Sequence, residues 1–432
     1  MEQISWNIVL NLVHELKSKY REKFGKEPSY EFTEGTTCVN NWVLELNEPT
    51  YLEMFEPLLL NQLGTRVIFK YGRFVDIFSN GVSPLYFWTA FDGLYRECRG
   101  VVIDVKTEEL ILTPYNKFFN IDEFPGWFKR EIEQRISIAK TVEFSNKLDG
   151  SMQSYRILPS GEFINAGSQA INPENSPRVS KGREFFFSDP AYKNMCANYS
   201  NYTFIFEFIC PSIDPHIVVY SEEQQGLYLT GMRCVDDGSF KSYHEVLEIA
   251  DKYGVKHTDT YKLTLEDAYN ALDKYKSSER EGLVINIDGF RAKLKFNDFL
   301  GIHNILSRLT SPNPVIEAVI SGTYDDLISR LPEAYHYRVE EMKSDIVNKI
   351  AFIKSTIENE FKKIQKLKYA FPDMMRYITE TYKSFGISGS LISYYKTGEY
   401  DINKMLIRSG HVIKMNDLTN IYNKVKLLEN HD

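Results

Sequence analysis

Short runs in which β-branched and aromatic residues alternate with polar ones fill the middle of the chain, between residues 65 and 300. RVIFKY, GVVIDV, ELILTPY, SMQSYRIL, YTFIFEFI, HIVVY, GLYLTGMRCV, GLVINI and FRAKLKF each read as a strand. Between them, YHEVLEIADKYG and LEDAYNALDKYKSS carry apolar residues at three- and four-residue spacing and read as helices. Runs of strands with occasional helices predict an α+β domain with antiparallel sheets and flanking helices, not a regular βαβ alternation. From residue 303 onward the period is helical throughout, in PVIEAVI, YRVEEMKSDIVNKIAFIKSTIENEFKKIQKL, DMMRYITETYKSFG and TNIYNKVKLLEN. Residues 1–60 are also predicted helical, with a polar connection through KEPSYEFTEGTT. The expected organisation is therefore an N-terminal helical extension over 1–60, an α+β domain over 61–302 and an all-α C-terminal domain over 303–432. Glu2, Asn7, Asn11, His14 and Glu15 interrupt the first helix, which predicts neither a signal peptide nor a membrane span.

Composition adds three points. A chain of 432 residues is too long for one core, in keeping with several domains. The five cysteines, Cys38, Cys98, Cys196, Cys210 and Cys234, are scattered with no CxxC pair. That predicts a reducing, cytoplasmic setting and argues against a zinc site or a disulfide framework. The net charge of −8 argues mildly against nucleic acid, but residues 301–432 carry 18 basic against 16 acidic side chains, so the excess acid lies in the first 300. The stretch FKKIQKLKYAFP, residues 361–372, has four lysines and no acid and reads as a solvated helix face.

Candidate chemistry begins at KLDGSMQSYR, residues 147–156, where a lysine, an aspartate and a glycine precede a strand. Lys147 is either an ordinary solvated charge or a nucleophile. An amine attacks phosphorus only when neutral, so a nucleophilic lysine needs neighbours or burial that lower its pKa from about 10.4. Charged residues embedded in apolar runs supply candidate company: YRECRGVVID (95–104), PYNKFFN (114–120), FIFEFICP (204–211), EGLVINI (281–287) and AKLKFNDF (292–299). Alternation places Lys293 and Lys295 on one face of their strand. Two lysines near a third are expected to depress its pKa.

This set resembles the covalent nucleotidyltransferase superfamily of ATP-dependent ligases and capping enzymes, most closely the bacteriophage RNA ligase 1 family. KLDGS matches the nucleophile motif, FEF the motif with a ribose-reading glutamate, EGLV the metal and catalytic glutamate motif, and KLK the closing phosphate-binding pair. ECRGVV and NKFFN narrow the resemblance to RNA ligase 1, and FKYGR (69–73) resembles its ATP-contacting segment. The resemblance implies a nucleotidyltransferase domain with ATP as co-substrate. Lys147 would form a lysyl-AMP, oriented by Asp149. Lys293 and Lys295 would neutralise the α-phosphate, while Arg99 and Lys117, with Tyr71 beside them, would grip the outer phosphates. Glu207 would read the ribose. Glu281 would act through Mg2+, with Mn2+ as a substitute, and Asp325 in SGTYDDLISRLPEAY would add a metal contact. On residue patterns alone, Asp325–Asp326 reads more readily as a helix N-terminal charge pair than as a metal site, and His303, in GIHNIL, as a packed core histidine. Ala166, Phe299 and His216 stand where the family often has lysine, an aromatic hydroxyl and arginine, departures that concern the RNA ends.

The implied partner is RNA with 5′-phosphate and 3′-hydroxyl ends, such as cleaved tRNA, with an end-healing kinase/phosphatase upstream and no membrane. The helical tail would position that RNA. Alternatives are mRNA capping or DNA ligation by the same lysine chemistry, and a catalytically inactive nucleic-acid-binding protein. Capping enzymes and DNA ligases usually carry a β-barrel after the last motif, and the tail here has helical period instead.

Overall fold

The computed structural model describes residues 5–33, 35–72, 77–78, 81–309, 311–332 and 335–429. Arg73 of FKYGR, Glu34 of the polar connection, and Glu333 and Ala334 lie outside the described residues. The chain divides into two units, residues 1–299 and 300–432.

The first unit opens with α1 (Ile8–Phe24), α2 (Cys38–Leu46) and α3 (Pro49–Phe55). Asn7 caps α1 by accepting from the amides of Val9 and Leu10 at 3.0 and 3.1 Å, and Gly25 ends it in the left-handed conformation (φ 67°). Val9, Val13, Leu16 and Tyr20 recur at helical spacing and are buried. They share one core with Trp42 of α2 and with strand residues as distant as Ile285. Lys17, on the same side, is buried as well; its ammonium donates to the carbonyls of Val105 and Lys106 at 3.1 and 3.2 Å and pairs with Glu108. The first 60 residues are thus part of the body that carries the strands.

Twelve strands follow: β1 (Leu58–Leu63), β2 (Arg66–Tyr71), β3 (Arg99–Asp104), β4 (Glu109–Leu112), β5 (Val142–Lys147), β6 (Ser151–Ile157), β7 (Phe163–Gly167), β8 (Tyr202–Ile209), β9 (Gly226–Cys234), β10 (Thr260–Tyr261), β11 (Gly282–Ile287) and β12 (Phe290–Lys295). They form three four-stranded sheets, ordered β1-β2-β3-β4, β10-β5-β11-β12 and β7-β6-β8-β9. Every ladder within them is antiparallel, as the sequence predicts. Helices Pro177–Ser188, Pro190–Asn198 and Tyr243–Tyr253 cover the third sheet through Phe186, Tyr192, Met195 and Val246. Between the first and third sheets, Ile68 and Val102 pack on Ile164 and Ala166. All five cysteines are free and buried.

Two elements differ from expectation. HIVVY (216–220) is not a strand, because its amides are committed to a side chain of the site described below. LEDAYNALDKYKSS is helical only over Leu265–Asn270 and then turns.

In the second unit a 30-residue helix, His336–Gln365, buries Val339, Ile346, Ile353, Ile357 and Ile364 along one seam. Met374, Ile378, Leu418, Ile421 and Val425 of helices Phe371–Tyr382 and Met415–Glu429 complete that core. A two-residue ribbon, Ile407–Arg408 with His411–Val412, is the strand pairing described there. His303 is exposed rather than part of the core: on helix Asn297–Arg308 the buried side includes Ile302, and the next residue lies about 100° further round. No helix among the described residues is long and apolar enough to cross a membrane.

Candidate active site

Alternate residues of a strand share a face, and the register of β5, β11 and β12 sets three rows across the second sheet. They are Lys147–Gly282–Lys295, Ser145–Val284–Lys293 and Glu143–Asn286–Arg291. The lysine of KLDG and both lysines of KLK therefore meet on one surface. The central position of the first row must be glycine: a Cβ on Gly282 would lie 2.2 Å from the Leu294 carbonyl oxygen and 2.8 Å from Lys295 Cα. Glu281, just before β11, is buried and accepts from both flanking lysines. Lys147 Nζ donates to Oε2 at 2.7 Å and Lys295 Nζ to Oε1 at 2.9 Å.

Lys147 ends β5 in the second sheet and Ser151 opens β6 in the third, so the loop Leu148–Gly150 carries the chain between them. Gly150 allows that crossing. A Cβ there would stand 2.7 Å from the Phe208 carbonyl oxygen and 2.8 Å from Glu207 Cγ, and the Gly150 amide donates to Glu207 Oε1 at 3.1 Å. Asp149 Oδ2 accepts from the amides of Ile217 and Val218 at 2.8 and 3.0 Å, while its own amide donates to the Tyr220 hydroxyl at 2.9 Å. Asp149 thus holds the loop behind the lysine rather than the amine itself.

Arg99 starts β3 and Tyr71 ends β2 beside it; the Tyr71 ring meets Trp88 edge-on at 5.0 Å. Lys117 lies over Trp88 and Phe119, 5.4 and 5.0 Å from the ring centres. The NKFFN segment runs along β12: the Lys293 amide donates to the Phe119 carbonyl at 3.0 Å and the Ile121 amide to the Lys293 carbonyl at 2.9 Å. Lys293 Nζ sits 4.5 Å over the Phe118 ring. A cavity of about 190 Å³ is lined by Arg99, Lys147, Glu207, Asn286 and Lys293, and a second of about 300 Å³ touches Lys147 from the side of Val218, Tyr220 and Glu281. Asn146, Lys147 and Leu148 line both.

Charges in this space are strongly perturbed. Burial pushes the Lys147 ammonium down, but Glu281, then Glu207 and Asp149, more than offset it and hold the group above its ordinary value. This reverses the expectation that neighbouring lysines would depress it: the nearest charge to Lys147 is a carboxylate at 2.7 Å. Lys293 takes the shift instead, lowered well below its ordinary value by burial and by Arg99, Lys117, Lys147 and Lys295. Burial likewise lowers Lys117, to about 8, with Arg99 and Lys295 adding to the effect against Glu123. Burial raises Glu207 to about 7, against the pull of Lys147. Glu281 is held below the usual carboxylate value because Lys147 and Lys295 outweigh its burial.

The structure thus brings Arg99, Lys147, Glu207 and Lys293 to one cavity and Glu281 to the adjoining one, with Lys295 bound to Glu281, Tyr71 and Lys117 near Arg99, and Asp149 in the loop behind. Asp325 belongs to the second unit, exposed in the first turn of helix Tyr324–Ser329 beside Asp326. No group of three or more His, Cys, Asp or Glu among the described residues forms a metal cage. The donor set instead suits a hard divalent ion shared between one carboxylate and a nucleotide's phosphates. Sequence reading missed Glu143 and Asn286. Glu143 accepts from the amides of Tyr243 and His244 at 2.9 and 2.8 Å and from Asn286 Nδ2 at 2.6 Å. The signal was present, since Glu143, Ser145 and Lys147 alternate in VEFSNK, as do Val284 and Asn286 in GLVINI.

Residues 97–300 match the model of a family described as RNA ligase, so the resemblance read from the sequence is borne out over that segment. A protein of Thermovibrio ammonificans provisionally named an RNA ligase is 24% identical over 205 residues, covering 46% of this chain and 47% of that one. A protein of Autographa californica nuclear polyhedrosis virus, provisionally named a bifunctional polynucleotide kinase/RNA ligase, is 22% identical over 250 residues, 55% of this chain and 35% of that one. The matches thus span less than half of either relative. Among solved structures, Naegleria gruberi RNA ligase with ATP and Mn aligns at a TM-score of 0.33 and 21% identity, over 40% of this chain and 55% of that one.

Proposed function

We propose that the protein is an ATP-dependent RNA ligase that works through a lysyl-AMP. The observation that carries this reading is the row Lys147–Gly282–Lys295 closed by Glu281, beside a cavity lined by Glu207, Arg99 and Lys293, with Lys117 close enough to act on the Lys293 ammonium. A buried amine beside a carboxylate and amid cations suits attack on a phosphoryl group that carries negative charge.

In the first step Lys147 Nζ loses a proton and bonds to the α-phosphorus of ATP, and the bond from that phosphorus to the bridging oxygen breaks to release pyrophosphate. Lys293 and Lys295 neutralise the α-phosphate; Arg99 and Lys117, beside Tyr71, take the outer ones. Glu207 accepts from a ribose hydroxyl. Glu281 is the carboxylate that would hold Mg2+ or Mn2+, and such an ion would offset charge on the leaving group. In the second step an RNA 5′-phosphate oxygen bonds to the AMP phosphorus and the P–N bond breaks, returning the amine. In the third a 3′-hydroxyl oxygen bonds to the RNA 5′-phosphorus and AMP leaves. Cleaved tRNA is a fitting substrate, and the kinase half of the viral relative's name points to the end-healing partner that would supply such ends. A helical unit after β12 favours RNA joining over capping or DNA joining.

The test is transfer of label from ATP labelled at the α-phosphate to the protein, with Lys147→Ala alongside. Label on the parent alone is the expected result. Label on neither, with magnesium or manganese and after bound AMP has been discharged with pyrophosphate, would leave an inactive binding protein.

A further inference from the structure

Two cations stand close to this site and have no part in it. Lys70 on β2 opposes Arg99 on β3 across the ladder, at an irregularity between Phe69 and Lys70. Like charges directly opposite one another destabilise a sheet. Among the described residues no carboxylate pairs with Lys70: its ammonium donates to the neutral Gln169 Oε1 at 3.3 Å. Burial, Arg99 and Arg178 all push its pKa down. Arg178 opens helix Pro177–Ser188 and donates to Asp214 Oδ1 at 2.8 Å, with its side chain still 55% exposed.

The loop 167–169 ties these groups together. A Cβ on Gly100, next to Arg99, would meet Ser168 Cα at 3.3 Å, and one on Gly167 would meet Val179, next to Arg178, at 3.3 Å. Asn61 Nδ2 donates to the Gln169 carbonyl at 2.9 Å and fixes the loop from β1. Two neighbouring strands and one helix thus bring three cations to one loop, and among the described residues the carboxylate paired with them is Asp214. The arrangement costs folding energy until an anion arrives.

We propose that Lys70, Arg99 and Arg178 form a phosphate subsite that receives the 5′-phosphate end of the RNA, a proposal that rests on the ligase reading above. Arg99 lines the nucleotide cavity; Lys70 and Arg178 do not. The nucleotide's phosphates already have Lys117, Lys147, Lys293 and Lys295, and Arg99 is released from the outer phosphates when pyrophosphate leaves. Lys70 neighbours Arg99 on the first sheet, and Arg178 stands on the helix that covers the third; neither lines that cavity. Ammonium and guanidinium groups in this order suit a strand phosphate approaching bound AMP.

The experiment compares Lys70→Ala, Lys70→Arg and Arg178→Ala with the parent, each checked for an unchanged unfolding midpoint. We expect labelling by ATP within about twofold of the parent, and adenylation of a 5′-phosphorylated oligoribonucleotide by pre-labelled protein about tenfold or more slower for both alanine variants, with Lys70→Arg largely restored. A parallel loss of ATP labelling would make the triphosphate the occupant and overturn the proposal, as would unchanged RNA adenylation. If the parent itself takes no label, the ligase reading fails, and equilibrium binding decides the subsite alone. Preference for a 5′-phosphorylated over a 5′-hydroxyl oligoribonucleotide that disappears in Lys70→Ala upholds it. Preference retained, or absent in the parent, sinks it.

Discussion

Glu281 neutralises two ammonium groups at once, Lys147 at 2.7 Å and Lys295 at 2.9 Å, with its own side chain 4% exposed and theirs 19% and 13%. Glu281→Gln keeps the volume and leaves both cations facing an amide. Removing one partner of a buried ion pair costs about 3–5 kcal/mol, because the remaining charge is uncompensated. Two charges are stranded here, so the upper end, about 5 kcal/mol, is expected at neutral pH, or on the order of 10 °C in the first unit's midpoint. Lys147→Met should cost only about 1 kcal/mol, since Glu281 still holds Lys295. The double variant removes one stranded cation and should recover about 2 kcal/mol relative to additivity. The sign with pH follows from the shifts. Glu281 is depressed from 4.5, so its contribution is present above that value and lost as pH falls through the folded value. Lys147 is raised from 10.5, so its contribution is present below that value and lost above the folded one. The gap between parent and variant should therefore be widest from roughly pH 5 to 10 and shrink toward pH 3. Calorimetry of the four proteins across pH reads all of this. A Glu281→Gln midpoint within about 2 °C of the parent at neutral pH, or a gap constant with pH, would refute the bridged arrangement.

Gly150→Ala forces a Cβ onto the Phe208 carbonyl and should slow ATP labelling by about tenfold or more through displacement of the nucleophile loop, read as the initial labelling rate. Glu207, raised from 4.5 to about 7, stabilises the fold below pH 4.5 and loses that contribution as pH rises through 7. Glu207→Gln should therefore gain about 3 kcal/mol over the parent between pH 5 and 8 in urea unfolding, and an equal difference at both pH values would contradict the shift. Among the site lysines, Lys293 should react with an acylating reagent at about pH 8 before Lys147, as mass spectrometry of peptides would show; the reverse order would contradict their opposite shifts. Deleting residues 1–25 strips Val9, Val13 and Leu16 from the first unit's core and should abolish its cooperative thermal transition.

Much of the site was legible because its chemistry follows strand alternation. Lys293 and Lys295 on one face, and Glu207 between Phe206 and Phe208, needed only a period of two. The pairing of β5 with β11 was not legible, since it joins Lys147 to Gly282 and Val142 to Ile287, far apart along the chain. Without that register, Glu143 and Asn286 read as strand polars on separate elements. HIVVY shows the complementary failure: its composition is that of a strand, but Asp149 takes two of its amides, and no local pattern announces a side-chain competitor for a ladder. The first 60 residues read as an extension because helical period says which face is buried and not against what.

The protonation of Lys147 turns on the same limit. Counting lysines along the chain placed three cations together and inferred that the nucleophile would be the one depressed. Position in the row decides otherwise. Lys147 and Lys295 flank the glycine beside Glu281 and share its carboxylate, while Lys293, one row away, meets cations and an aromatic face. The same cluster therefore holds one lysine protonated and releases another. On the proposed reading, the carboxylate that stabilises the Lys147 proton would have to be drawn to another partner before the amine could react, so that the charge bridging Lys147 and Lys295 at rest would also govern the nucleophile.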